Sequence, residues 1–254
     1  MPVVLVEKQT PQITLLTLNR PERRNALTIE LMSELTAAVE TAAADPNQRI
    51  LILRGAGKAF CTGLDLEAAA DSSKAHATAE MVARLLLALA ETRLVTIATV
   101  HGAAVAGGAG IMSACDFVIA AERTKIGYPE VRRGLVAGLV MTFLRRQLRE
   151  RDLRELLLGA ELISVERACE IGLVNRVVPV GELENEAQKI AASVLQGAPG
   201  AITNSKRLME ELWSTSFRQD IELALRHHME ARESAEAQEG IAAFNEKRPP
   251  NWAS

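Results

Sequence analysis

Aromatic side chains are scarce in this 254-residue chain, with five Phe, two Trp and one Tyr, 3% of the residues. That argues against platforms on which bases stack. A net charge of −3 leaves no general basic footprint for nucleic acid. The three cysteines, Cys61, Cys115 and Cys169, are odd in number and none belongs to a C-x-x-C pair. This predicts a reduced, cytoplasmic setting rather than a disulfide framework. No run of about twenty apolar residues occurs, and M-P-V-V-L-V-E-K is too short for a signal peptide, so a soluble protein without a membrane partner is expected. There is no H-E-x-x-H or Cys/His cluster to hold a metal, no G-x-G-x-x-G after a strand and no G-x-S-x-G elbow. In Gly55-Ala56-Gly57-Lys58 an alanine, Ala59, follows where a P-loop requires Ser or Thr.

What is present is small and apolar. The stretch from Val95 to Asp116 begins with a β-branched run, Val95–Val100, that predicts a buried strand stopping at His101-Gly102. Gly102, Gly107, Gly108 and Gly110 follow among Ala and Val, and Ile111–Ala114 predicts a helix. A strand feeding a glycine turn and a helix N-terminus presents unpaired backbone N–H groups at one point. Such a point suits an anion, or an oxygen that becomes anionic. The same pattern also suits a strand–helix crossing too tight for anything larger than Ala. A second delivery favours the first reading: the strand Ile50–Leu53 leads through R-G-A-G-K-A-F-C-T-G-L-D-L to the turn at Gly63, ahead of a possible helix start with Asp65 and Glu67. Two such turns can bring two N–H donors to one atom, the logic of an oxyanion hole.

In chain order, Val3–Glu7 and Ile13–Leu18 predict neighbouring strands, and Thr28 is placed to cap a helix running to about Ala44. Ala75–Ala90 has helical apolar spacing. Phe117–Ala120, Lys125–Gly127 and Val174–Val178 predict strands; Val136–Gln147, Asp152–Leu158 and Val165–Gly172 predict helices. Beyond Gly181 the pattern is helical throughout: Glu182–Leu195, Gly200–Leu212, Phe217–Ala237 and Gly240–Lys247. Strand–helix units followed by helices predict an α/β body with a helical C-terminal region. A chain of this length buries roughly three-quarters of its unfolded surface. The tail series Ile202, Leu208, Leu212, Phe217, Ile221 and Leu225 is too apolar to be left in water without a partner surface.

Among candidate reactive groups, Cys61 lacks a neighbouring His and is expected to be a packed small residue. His227 and His228 lie in a polar helix and are expected to be solvated. The run from Arg145 to Arg154 is expected to form a solvated face with internal ion pairs. Glu130 stands apart: in I-G-Y-P-E-V it has apolar neighbours, which would raise its pKa toward the range useful for proton transfer. A helix N-terminal glutamate stabilised by the dipole is the competing reading.

Taken together, N-R-P-E-R-R-N-A-L, K-A-F-C-T-G-L-D-L, H-G-A-A-V-A-G-G-A-G, A-C-D-F-V-I-A, Y-P-E-V-R-R-G-L and the ending E-G-I-A-A-F-N-E-K-R resemble the crotonase, or enoyl-CoA hydratase/isomerase, superfamily. The resemblance implies an α/β spiral of ββα units, here residues 1–196, and a C-terminal helical trimerisation region, residues 197–254. It implies a homotrimer or dimer of trimers acting on an acyl-CoA thioester, with coenzyme A carried by the substrate and no separate cofactor. On the matching positions, the N–H groups of Leu64, after Gly63, and of Gly107 would hold the thioester oxygen. Arg24, Ala26, Thr62, Asp65 and Leu66 would line the CoA groove, and Phe244 and Lys247 would cover it. Glu130 matches one of the two glutamates of typical hydratases; Gly110 stands in the position of the other. The implied activity is reversible hydration of a 2-enoyl-CoA through an enolate. The alternative is Δ3–Δ2 enoyl-CoA isomerisation with Glu130 as single proton shuttle. A non-catalytic scaffold or RNA binder is disfavoured by Glu130 and the two intact glycine turns.

Overall fold

Alternation along the central strands divides the interior into two cores. The structure, a computed structural model, describes residues 2–65, 75–213 and 215–253. Val4–Thr10 (β1) and Ile13–Leu18 (β2) form an antiparallel pair; Ile50–Gly55 (β3), Val95–Val100 (β4), Phe117–Ala121 (β6) and Arg176–Val178 (β9) extend the sheet in parallel. β2, β3 and β4 are covered on both faces, which is why they read as nearly continuous Ile, Leu and Val. Successive side chains point to opposite faces. Ile13, Leu15, Ile50, Ile52 and Ile97 therefore meet Ala187, Ile190 and Ala191 of the helix Leu183–Leu195 (α7). Leu16, Leu18, Leu51, Leu53, Ala98 and Val100 face the larger core, with the helices Ile29–Ala44 (α1) and Ala75–Glu91 (α2). Thr28 caps α1, its side chain accepting from Leu31 N–H, as its sequence position predicts.

A second, three-stranded sheet carries the glycine-rich stretch. It pairs Ala103–Val105 (β5) with Lys125–Gly127 (β7) and Ile163–Ser164 (β8). The helix Gly107–Ser113 (α3) leaves β5 directly, so it begins four residues before the apolar segment Ile111–Ala114 that announces it. Three further elements differ from expectation. The helix after Gly134 begins at Gly138 and runs to Gln147 (α4), and the final strand is confined to β9. The segment expected as one helix over Asp152–Leu158 is an α-helix, Glu150–Arg154 (α5), passing into a π-helical turn, Glu155–Gly159; Val165–Glu170 (α6) follows.

The C-terminal helices are Pro199–Glu211 (α8), Phe217–Arg232 (α9) and Ala235–Asn245 (α10). The last break falls at Ser234, not near Gly240: the Ser234 side chain accepts from Ala237 N–H and starts a new helix. Gly240 lies inside α10, where a β-carbon would come within 2.5 Å of the Arg133 carbonyl. The glycine is therefore a contact point rather than a terminator.

Most of the arginine run is the solvated face expected of it, with internal pairs Arg149–Asp152 and Arg154–Glu150; Arg146 alone departs from it. Arg146 is 7% exposed and ties α4 to the tail: it pairs with Glu210 and Asp220, donates to Thr215 O at 2.8 Å, and lies 3.7 Å from the Phe217 ring centroid. Part of the apolar tail series is covered by its own chain, Ile221 fully and Phe217 and Leu225 partly. Leu208 and Leu212 are exposed, and Met209 and Trp213 lie exposed in the same stretch.

Candidate active site

The two glycine turns meet. Gly63 has φ +87°, and a β-carbon there would sit 3.0 Å from Val105 O and 3.5 Å from Gly107 N. Only glycine allows both the left-handed conformation and this approach. Parallel bridging orients the donor after it: Leu27 N–H donates to Gly63 O at 2.8 Å and Asp65 N–H to Leu27 O at 2.9 Å. The N–H of Leu64, between them, faces away from that ladder. On the other turn, Ala106 has φ 50° and ψ −124°, its N–H held by Gly127 O at 2.8 Å. A non-glycine residue in this region stores about 1–3 kcal/mol of strain. The strain turns the Gly107 N–H outward at the start of α3, where no intrahelical acceptor exists. Among the described residues neither Leu64 N–H nor Gly107 N–H has a backbone partner.

Both residues line a cleft of about 740 Å³, together with Arg24, Ala26, Thr62, Asp65, Phe244 and Lys247. The sequence N-R-P-E-R-R-N-A-L shapes one wall through Asn25, which is fully buried with φ 55°. Its amide donates to Ala56 O, Ala59 O and Phe60 O, and its Oδ1 accepts from Arg20 N–H. Asp65 is engaged by Arg20 and Arg23, at 3.2 and 3.3 Å. It braces that wall. Leu66 lies outside the described residues, as does Glu67. Phe244 reaches the cleft from α10 and Lys247 from the segment just past its end, both in the same chain.

Glu130 opens the 3-10 turn Glu130–Arg133 and lines the same cleft. The preceding Tyr128 is fully buried and hydrogen-bonds Ser113 at 2.9 Å, which ties the Glu130 segment to the far end of α3. Glu130 Oε2 is buried without a hydrogen-bond partner. Burial raises its pKa from 4.5 to about 7; a backbone hydrogen bond and the nearby charge of Arg133 oppose the rise. A carboxylate of this kind both takes and returns a proton near neutrality.

Gly110 does not reach the cleft. It is buried in α3, and a β-carbon there would overlap Val140 Cγ1. Val140 lines the cleft in its place, beside Val82, Leu135 and Leu139. Cys61 is fully buried and its thiol is pushed up to about 12, so it is a packed residue and not a nucleophile.

Two cleft residues are not apparent from the sequence pattern. His228 is half-buried rather than fully solvated: it lines the cleft, and its Nδ1 lies 3.3 Å from Val136 O. A carbonyl only accepts, so that nitrogen carries the proton. Burial lowers the ring's pKa. Arg133, within what looks like an ordinary basic pair, also lines the cleft. No local signal marks either one, because their placement depends on α9 and α10 packing against the segment after Glu130. Among the described residues no cluster of His, Cys, Asp and Glu could hold a metal ion, and no helix is long and apolar enough to cross a membrane.

A family model described as "Enoyl-CoA hydratase/isomerase" matches residues 8–254. A Thermus thermophilus protein named "Putative enoyl-CoA hydratase" is 37% identical, covering 98% of this chain and 100% of its own length. The "Crotonyl-CoA hydratase" of Syntrophomonas wolfei is 34% identical, over 99% of this chain and 98% of that one. Among solved structures, an enoyl-CoA hydratase from Mycobacterium avium superposes with a TM-score of 0.88 at 32% identity, covering 99% of each chain. Agreement over the whole length establishes the expected α/β fold with a helical C-terminal region.

Proposed function

The chain belongs to the enoyl-CoA hydratase/isomerase family, and from that premise we propose that it hydrates a 2-enoyl-CoA reversibly with one carboxylate, Glu130. The observation that carries this reading is the buried, partnerless Glu130 oxygen, with a pKa near 7, in the cleft where the two glycine turns meet. The N–H groups of Leu64 and Gly107 hold the thioester oxygen. Ionised Glu130 removes a proton from water as the water oxygen bonds to C3. The C2–C3 π electrons move onto the thioester oxygen as an enolate, which the two donors stabilise. Protonated Glu130 then delivers the same proton to C2, and the carboxylate is restored. Exposed Arg24 and Lys247 suit the CoA phosphates, which stay in water at the mouth of the cleft.

One observation favours a second reading. Val140 fills the space beside Gly110 and makes that wall apolar, which suits transfer of a proton between C4 and C2 without water. That is Δ3–Δ2 enoyl-CoA isomerisation, with Glu130 as the only shuttle. Product analysis with separate 2-enoyl-CoA and 3-enoyl-CoA substrates tests the choice. Formation of 3-hydroxyacyl-CoA from the 2-enoyl ester supports hydration; its absence, with conversion of the 3-enoyl ester, overturns it. The exposed apolar residues of α8 support assembly as a trimer or dimer of trimers. The three free cysteines accord with action in the cytoplasm.

A further inference from the structure

Arg133 stands three residues beyond Glu130 on the same 3-10 turn and lines the same cleft. Its Cζ lies 4.5 Å from the Phe244 ring centroid, and its Nε is buried without a hydrogen-bond partner. Among the described residues no ion pair or hydrogen bond engages the guanidinium. Glu130 and Arg133 feel each other's charge, yet no hydrogen bond joins them. Burial pulls the Arg133 pKa below its ordinary value, a sign that the cation is incompletely compensated.

The other cations of the cleft need no ligand to explain them. Arg23 is paired with Asp65, and Arg24 and Lys247 are exposed to water. Arg133 is different: a planar fork of five donors, half-buried, resting on an aromatic face that supplies attraction but no acceptor. Leaving such a group without an acceptor is costly. Its geometry matches a carboxylate in a bidentate pair.

We propose that Arg133 is a specificity residue that receives a carboxylate borne by the acyl part of the substrate. The inference rests on the acyl-CoA reading of the cleft and deepens it. A carboxylate on the acyl group fits better than a CoA phosphate, because Arg133 shares its turn with Glu130, where the reacting carbons lie. The phosphates are met by the exposed cations.

The test is calorimetric binding of two saturated acyl-CoA thioesters of equal length, which cannot be hydrated. One ends in a methyl group and the other in a carboxylate. The wild-type protein should bind the carboxylate ester at least tenfold more tightly. Arg133→Met keeps an apolar body over Phe244 without the donors, and should bring the ratio to one or below. Arg133→Lys keeps charge without the fork and should give an intermediate ratio; it also serves if the Met variant fails to fold. Equal binding of the two esters by wild type overturns the inference, as does a ratio unchanged by either substitution. The same acyl groups on pantetheine separate the source of the anion. If Arg133→Met weakens both CoA esters alike and neither pantetheine ester, the ligand is a phosphate and the inference fails. A shifted pH profile of turnover with an unchanged ratio means that Arg133 only tunes Glu130, which also overturns it. Absence of binding by either CoA ester overturns the acyl-CoA reading and this inference together, whereas equal binding overturns this one alone.

Discussion

Gly110 and Val140 occupy one another's space: a β-carbon on the glycine would overlap Val140 Cγ1. A second carboxylate at position 110 therefore cannot be added by itself. Gly110→Glu should cost about 3 kcal/mol or more, from overpacking and a buried charge. Combining it with Val140→Ala should recover part of the stability and raise hydration relative to isomerisation. Thermal denaturation and product ratios check both halves; a well-folded Gly110→Glu protein would show that Val140 yields more readily than the packing indicates.

Gly107→Val should lower turnover roughly a hundredfold or more by displacing one oxyanion donor. A β-carbon there would lie 3.0 Å from Leu27 Cδ1 and 3.9 Å from Gly63 Cα, so the larger side chain fills the approach between the turns. Near-normal rates from a folded variant would remove Gly107 from the oxyanion hole.

Glu130→Gln should lower turnover by about a hundredfold to ten-thousandfold while leaving acyl-CoA binding in place. In the wild-type protein kcat/KM should fall as pH drops below about 7, because the ionised base disappears. Stability runs with the opposite sign. Folding raises the Glu130 pKa, so the folded chain holds a proton that the unfolded chain releases between 4.5 and about 7. That contribution is fully present below 4.5 and lost as pH rises through 7. At pH about 8.5 the Gln variant should accordingly be more stable than wild type by about 3 kcal/mol relative to their difference at low pH. Parallel melting curves across this range would show no divergence if Glu130 were an ordinary solvated acid.

Arg146→Leu should destabilise the protein by about 3 kcal/mol, since it leaves Glu210 and Asp220 without their shared cation. Denaturant midpoints measure the loss. An effect under about 0.5 kcal/mol would return Arg146 to the class of surface arginines.

Leu212 is 77% exposed, with Leu208, Met209 and Trp213 exposed beside it. A paired substitution, Leu208→Glu with Leu212→Glu, should lower the molecular mass of the assembly in light scattering. Identical masses for the variant and wild type would place the subunit contact elsewhere.

Much of the body is legible in the chain. Ile13–Leu18, Val95–Val100, Lys125–Gly127 and the Thr28-capped α1 fall where apolar runs and a cap residue place them. A sheet buried on both faces, and a helix start closed by its own side chain, are local statements that neighbouring residues carry. The glycine turns are legible for the same reason: Gly63, Gly102 and Gly108 stand where a β-carbon would meet a backbone carbonyl, and positions without room for one leave a mark on the sequence. Glu130 is visible as a carboxylate among apolar neighbours.

The rest was decided by packing between distant segments. Ser234 rather than Gly240 ends α9, because Gly240 serves the contact with the turn bearing Arg133. Arg146 looks like one charge in a run until Glu210, Thr215 and Asp220 fold over it. His228 and Arg133 look solvated until α9 and α10 close the far side of the cleft. Burial of a polar side chain depends on what arrives from elsewhere in the chain, and no local spacing encodes that. Local pattern suffices for the main strands, the two turns and Glu130 as a carboxylate among apolar residues; packing between distant segments sets Arg133 beside Glu130 and closes the wall at Gly110 with Val140.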